Sequence, residues 1–196
     1  MTRRIVLPAV VTAFYLFAGT ITQDERDFAM SELHASRKLF LDSLAGLTPA
    51  QWRFKPAAGR WSIAEIAEQV TLAEDYFFEL ATRKVMSSPV SPQHTKPTIE
   101  QDEAVVASAV DRFTHANTPE ALRPTGHWRS IDELTQRFKA SRGRTIAYVE
   151  KTQDDLRGHS MHGMDAYQWL LFLSKYTETD VRQINEVKAD PNFPKH

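Results

Sequence analysis

The chain has 196 residues, 42% hydrophobic and 25% charged, a globular balance long enough to enclose one sizeable core and to predict a single domain. Its 24 Lys and Arg stand against 25 Asp and Glu, so the formal charge of -1 supplies no basic field for a phosphate backbone, and nucleic-acid partners are not expected. Cysteine is absent, which excludes disulfides, thiolate nucleophiles and Cys-ligated metal centres.

Arg3 and Arg4 precede an uncharged run over residues 5–19 that includes Val10, Val11, Phe14, Tyr15, Leu16 and Phe17. Its length suits the apolar region of a secretory signal and falls short of the roughly 20 residues a spanning helix needs. Residues 1–20 are therefore expected to be a signal peptide, giving a secreted or periplasmic protein with no stable membrane span after its removal. An uncleaved N-terminal anchor, or a cytoplasmic location, is the alternative.

Residues 22–44 interleave Phe28, Leu33, Leu39, Leu41 and Leu44 with charge, without Gly or Pro, and predict a first amphipathic helix. The proline- and glycine-bearing segment 47–60 is a connection whose Trp52 and Phe54 fold back onto the bundle. Ser62 with Glu65 three residues on has capping-box spacing and starts a second helix. Ile63, Ile66, Val70, Ala73, Phe77 and Leu80 then share one face to about residue 85. Three prolines lie between residues 87 and 97, and a short helical stretch toward Phe113 reads as a crossover. Ser130 and Glu133 repeat the capping signal for a third long helix marked by Ile131, Leu134, Phe138, Ile146, Val149 and Leu156, with Gly143 weakening its middle. A turn over residues 157–163 precedes a fourth helix from about residue 165 to 188. Four long helices with long connections predict an all-α four-helix bundle with crossover topology over residues 22–190.

On the fourth helix Trp169, Leu173, Tyr176, Asp180, Ile184 and Val187 follow a core-facing stripe. A carboxylate on such a stripe must be paired, hydrogen-bonded or bound to a cation, or else sit in solvent at the bundle mouth, where Arg182 could meet it. Tyr176 lies one turn before it on the same face.

The segment 61–69, from Trp61, Ser62 and Glu65 to Gln69, and the segment 176–184, with Tyr176, Asp180, Gln183 and Ile184, resemble the motifs of the DinB-like (DinB/YfiT) superfamily of four-helix bundles. That resemblance implies W-S-x-x-E-I-x-x-H on the second helix and H-x-x-x-H-x-x-Q-I on the fourth, whose three histidines jointly hold a divalent metal, usually zinc or nickel. Here Gln69, Tyr176 and Asp180 occupy all three ligand positions. Residues four apart on a helix share a face, so the directions persist while the imidazole donors are gone. Amide oxygen, phenol and carboxylate form a harder, weaker set than imidazole, so no tight transition-metal cofactor is expected.

Other histidines carry less. His159 and His162 flank a glycine-bearing turn, and His34 and His127 read as packed or surface residues. The expected function is a degenerate-site DinB-like protein, metal-free, binding a small polar ligand near Gln69, Tyr176 and Asp180 or acting as a non-catalytic bundle. A hydrogen-bond network among those three residues is the expected replacement for the metal. The alternative is a metal-dependent thiol transferase or hydrolase using the altered Gln/Tyr/Asp site, or catalysis by Asp180 as base with Tyr176 as acid. The resemblance also implies a homodimer.

Overall fold

In the computed structural model, residues 20–91, 96–115 and 118–195 are described, so the expected leader lies outside them except for Thr20. Helix α1 covers Gln23–Leu44, a short α2 covers Pro49–Arg53, and α3 covers Ile63–Glu79, running on as a π-helical turn over Leu80–Val85. Helix α4 spans Ile99–His115, α5 spans Ile131–Lys151, and α6 spans Ala166–Lys188. A two-residue hairpin, β1 (Ser160–Met161) with β2 (Met164–Asp165), precedes α6. Its turn places His162 and Gly163 at φ 55° and 81°, which strongly favours the glycine. Among the described residues no helix is long and apolar enough to cross a membrane.

Side-chain caps set where most of these helices start. Thr22, Thr48, Ser62 and Asp165 each accept the amide three residues on, while Glu25, Gln51, Glu65 and Gln168 reach back to the cap amide. Ser130 makes only half of this box, because Glu133 reaches the amide of Arg129 instead. The box at Thr48 turns part of the expected connection into helix, and Trp52 is buried there as anticipated. Two expected lengths change. Helix α4 has 17 residues rather than a short stretch, and α5 ends at Lys151, leaving Leu156 buried beyond it in the following loop.

Helix α1 packs against α5 and α6, and α3 packs against the same two. The halves of each helix sort into two apolar clusters. One gathers Leu33 of α1, Phe77 of α3, Val149 of α5 and Leu170 of α6; the other gathers Phe40, Val70, Phe138 and Ile184 from the opposite halves. Helices α1 and α6 therefore run one way and α3 and α5 the other, an up-down-down-up bundle in which the α3-to-α5 crossover carries α4 onto the outside of α6.

Between the clusters lies a polar belt. Arg142 is 0% exposed and forms a bidentate ion pair with Glu74, also 0% exposed, at 2.8 and 2.6 Å. Its remaining donors reach the carbonyl of Leu33 (3.0 Å), the hydroxyl of Ser36 (2.6 Å) and the hydroxyl of Thr177 (2.9 Å). One guanidinium thus touches all four long helices. Buried charge is tolerated only when each donor and acceptor finds a partner, and this fork does. Replacing Arg142 with Ala should lower the unfolding free energy by about 3–5 kcal/mol, because Glu74 is left buried without its partner. Urea denaturation checks this, and a loss below about 1 kcal/mol would show that the pair is not structural.

Candidate functional site

Gln69 stands on α3, and Tyr176 and Asp180 stand one turn apart on α6, with exposures of 4%, 2% and 1%. The two helices are neighbours, so the fold directs all three positions to the bundle interior. Asp180 is therefore not at a solvated mouth. Arg182, its suggested partner, bonds the Thr179 hydroxyl at 2.8 Å instead.

The expected network among the three is not formed. Gln183, one turn along α6, donates to Oδ1 of Asp180 at 3.0 Å, while Oδ2 is buried without a partner among the described residues. Burial pushes the Asp180 carboxyl well above the usual carboxylate range and so favours the neutral acid. The Tyr176 phenol is raised too, first by burial and then by the charge Asp180 would carry. Tyr176 also belongs to a ring cluster, with Phe77, Phe113 and Phe172 at centroid distances of 5.6, 5.6 and 5.7 Å.

These residues do not fit zinc or nickel. Imidazole nitrogen, the donor these ions favour, is absent from all three positions. A neutral phenol and an amide are weak donors to a borderline cation. Among the described residues no group of three or more His, Asp or Glu side chains is placed to hold a metal ion.

The rest of the first motif has a mechanical role. Ser62 and Glu65 are the capping box of α3, at 2.8 Å from the Ser62 amide to Glu65, and Lys55 pairs with the same carboxylate at 2.7 Å. Trp61 is half-buried against the second apolar cluster. All of this starts α3 correctly whether or not a metal follows.

Two further polar constellations were not anticipated. Glu68, next to Gln69, accepts the amides of Thr125, Gly126 and His127 at 2.8, 2.9 and 3.2 Å, pinning the loop before α5 onto α3. Arg157 pairs with Glu25, Asp102 and Asp165 at 2.7, 2.6 and 2.8 Å, joining α1, α4 and the start of α6. Burial, outweighing Arg157, raises Asp165 to about 6. For Glu25 the order reverses: burial acts upward, but Lys96, the Thr22 amide and Arg157 together bring it below its ordinary value. Among the described residues the histidines do not converge. His34 is exposed on α1, and His127 stacks edge-on with Trp128 at 5.1 Å. His159 bonds the Ser88 carbonyl through Nδ1 at 2.6 Å, while His162 is exposed at the hairpin turn.

A family model described as the DinB superfamily matches residues 32–184. The chain is also similar to the protein named "Uncharacterized protein YuaE" of Bacillus subtilis (strain 168), 21% identical over 164 residues that cover 81% of this chain and 96% of the relative. No solved structure matches.

Asp180 sets a pH dependence whose sign is fixed. A carboxyl raised on folding from an unfolded value of about 3.9 costs no stability below pH 4 and lowers stability as pH rises toward its folded value. Asp165 acts in the same direction up to about pH 6, so the difference between wild type and Asp180→Asn isolates Asp180. Urea midpoints should coincide near pH 4 and increasingly favour Asp180→Asn as the pH rises toward 8. A gap that does not widen with pH would contradict the neutral acid.

Proposed function

The chain belongs to the DinB superfamily, and from that premise we propose that it is a metal-independent member whose interior site binds a small polar ligand instead of running metal chemistry. The observation that carries this reading is Oδ2 of Asp180, a buried carboxyl oxygen without a partner among the described residues, at a position where the family pattern has an imidazole. A neutral carboxyl can both donate and accept, so it suits an uncharged polar group better than a cation. The ring cluster around Tyr176 gives such a ligand an apolar wall.

The catalytic alternative, with Asp180 as base and Tyr176 as acid, draws on the same raised carboxyl, since a base works best near the operating pH. It is the weaker reading because Tyr176 is fixed among rings and makes no hydrogen bond to Asp180 among the described residues. Metal-dependent thiol transfer or hydrolysis through Gln69, Tyr176 and Asp180 finds no competent donor set. Export through the leader over residues 1–20 remains part of the proposal, checked by N-terminal sequencing of the mature protein. A homodimer does so too, checked by mass in solution.

Elemental analysis of protein purified without chelator, followed by zinc and nickel titration, tests the main reading. The wild type should carry neither metal in stoichiometric amount, while Gln69→His/Tyr176→His/Asp180→His should gain roughly a hundredfold or more in zinc affinity. Stoichiometric zinc or nickel in the wild type that Asp180→Asn removes would overturn the proposal.

A further inference from the structure

A groove of about 470 Å³ opens between the C-terminal end of α1, the short α2 and the first turns of α5. Its volume lies within the roughly 300–1,000 Å³ of small-molecule sites. None of its lining residues is Gln69, Tyr176 or Asp180, so it stands apart from the interior site.

The groove has two chemically distinct parts. Leu41, Leu47 and Ile131 are half-buried along it, with Leu44 and Trp52 buried behind them, and this forms an apolar wall. Around it stand three exposed cations, Arg53 from α2, Arg129 before α5 and Lys139 two turns into α5. Among the described residues none of these three forms an ion pair, whereas Arg137, Arg142, Arg144 and Arg157 all do. Asp132 is the one carboxylate in the lining, which leaves a local excess of two positive charges.

The start of α5 adds to this field. The Ser130 hydroxyl already accepts the Glu133 amide, but helix geometry gives the amides of Ile131 and Asp132 no carbonyl within the helix. Their partial positive charge has the same sign as the three side chains.

We propose that this groove binds an amphiphile with a single anionic head and a hydrocarbon body, the head drawn in by the combined field of Arg53, Arg129 and Lys139 and the body lying along Trp52 and the leucines. A free inorganic anion would leave the apolar wall wet, and a neutral hydrocarbon would leave the cations unused. A molecule carrying both parts satisfies both surfaces.

The full chain is titrated calorimetrically with decanoate below its micelle threshold, with decanol and decyltrimethylammonium as the uncharged and cationic counterparts. Decanoate should bind saturably at one per chain and roughly tenfold or more tighter than either counterpart. The variant Arg53→Gln/Arg129→Gln/Lys139→Gln should lose roughly tenfold or more of that affinity with its melting temperature unchanged, since all three side chains are exposed. If that variant does not fold, the single variants Arg53→Gln and Arg129→Gln should each weaken decanoate and leave decanol unaffected. Absence of saturable decanoate binding, equal affinity for decanol, or binding insensitive to the charge variants overturns the proposal. Binding to anionic phospholipid vesicles without binding to free decanoate also overturns it, in favour of a membrane surface.

Discussion

One guanidinium organises this bundle. Arg142 projects from α5 into the boundary between two apolar clusters and spends its donors on Glu74 of α3, on Leu33 and Ser36 of α1, and on Thr177 of α6. A helix sliding past its neighbours would separate at least one of these pairs, and an unpaired charge in a dry interior is costly. The pair therefore sets register more than it adds stability. Apolar packing on either side can then be generous without being degenerate.

That register has consequences for the positions where the family pattern has histidines. Gln69 lies just over one turn before Glu74 on α3, and Asp180 lies three residues after Thr177 on α6. The scaffold still aims these side chains inward, as the burial of all three shows. They deliver there an amide, a phenol packed among rings, and a carboxyl that burial shifts toward its neutral form. Trp61, Ser62 and Glu65, by contrast, cap and seat α3, a task independent of any ion.

Helix periodicity made the bundle legible, because long amphipathic stripes and capping residues are local signals. The same stripes also held the polar belt. Arg142 falls four residues after Phe138, and Glu74 four after Val70, on faces already assigned to the core, yet only Asp180 was singled out as a buried charge. The pairing of Arg142 with Glu74 lies 68 residues apart in sequence and has no local signature. Neither does the loop clamp by Glu68, which binds backbone amides 57 to 59 residues on, nor the three carboxylates gathered by Arg157 from a loop. The hydrogen bond to Asp180 came from Gln183, a neighbour on the same helix, because that side chain reaches Oδ1 without crossing the bundle.

The proposed function depends on the protonation state of one side chain. Carbon-13 NMR of the Asp180 carboxyl, assigned by its loss in Asp180→Asn and followed across pH with and without one equivalent of zinc, measures it directly. A resonance that stays in the neutral-acid position at pH 7 and does not move with zinc is the predicted result. A carboxylate already ionised at pH 7, shifted again when zinc is added, would contradict it.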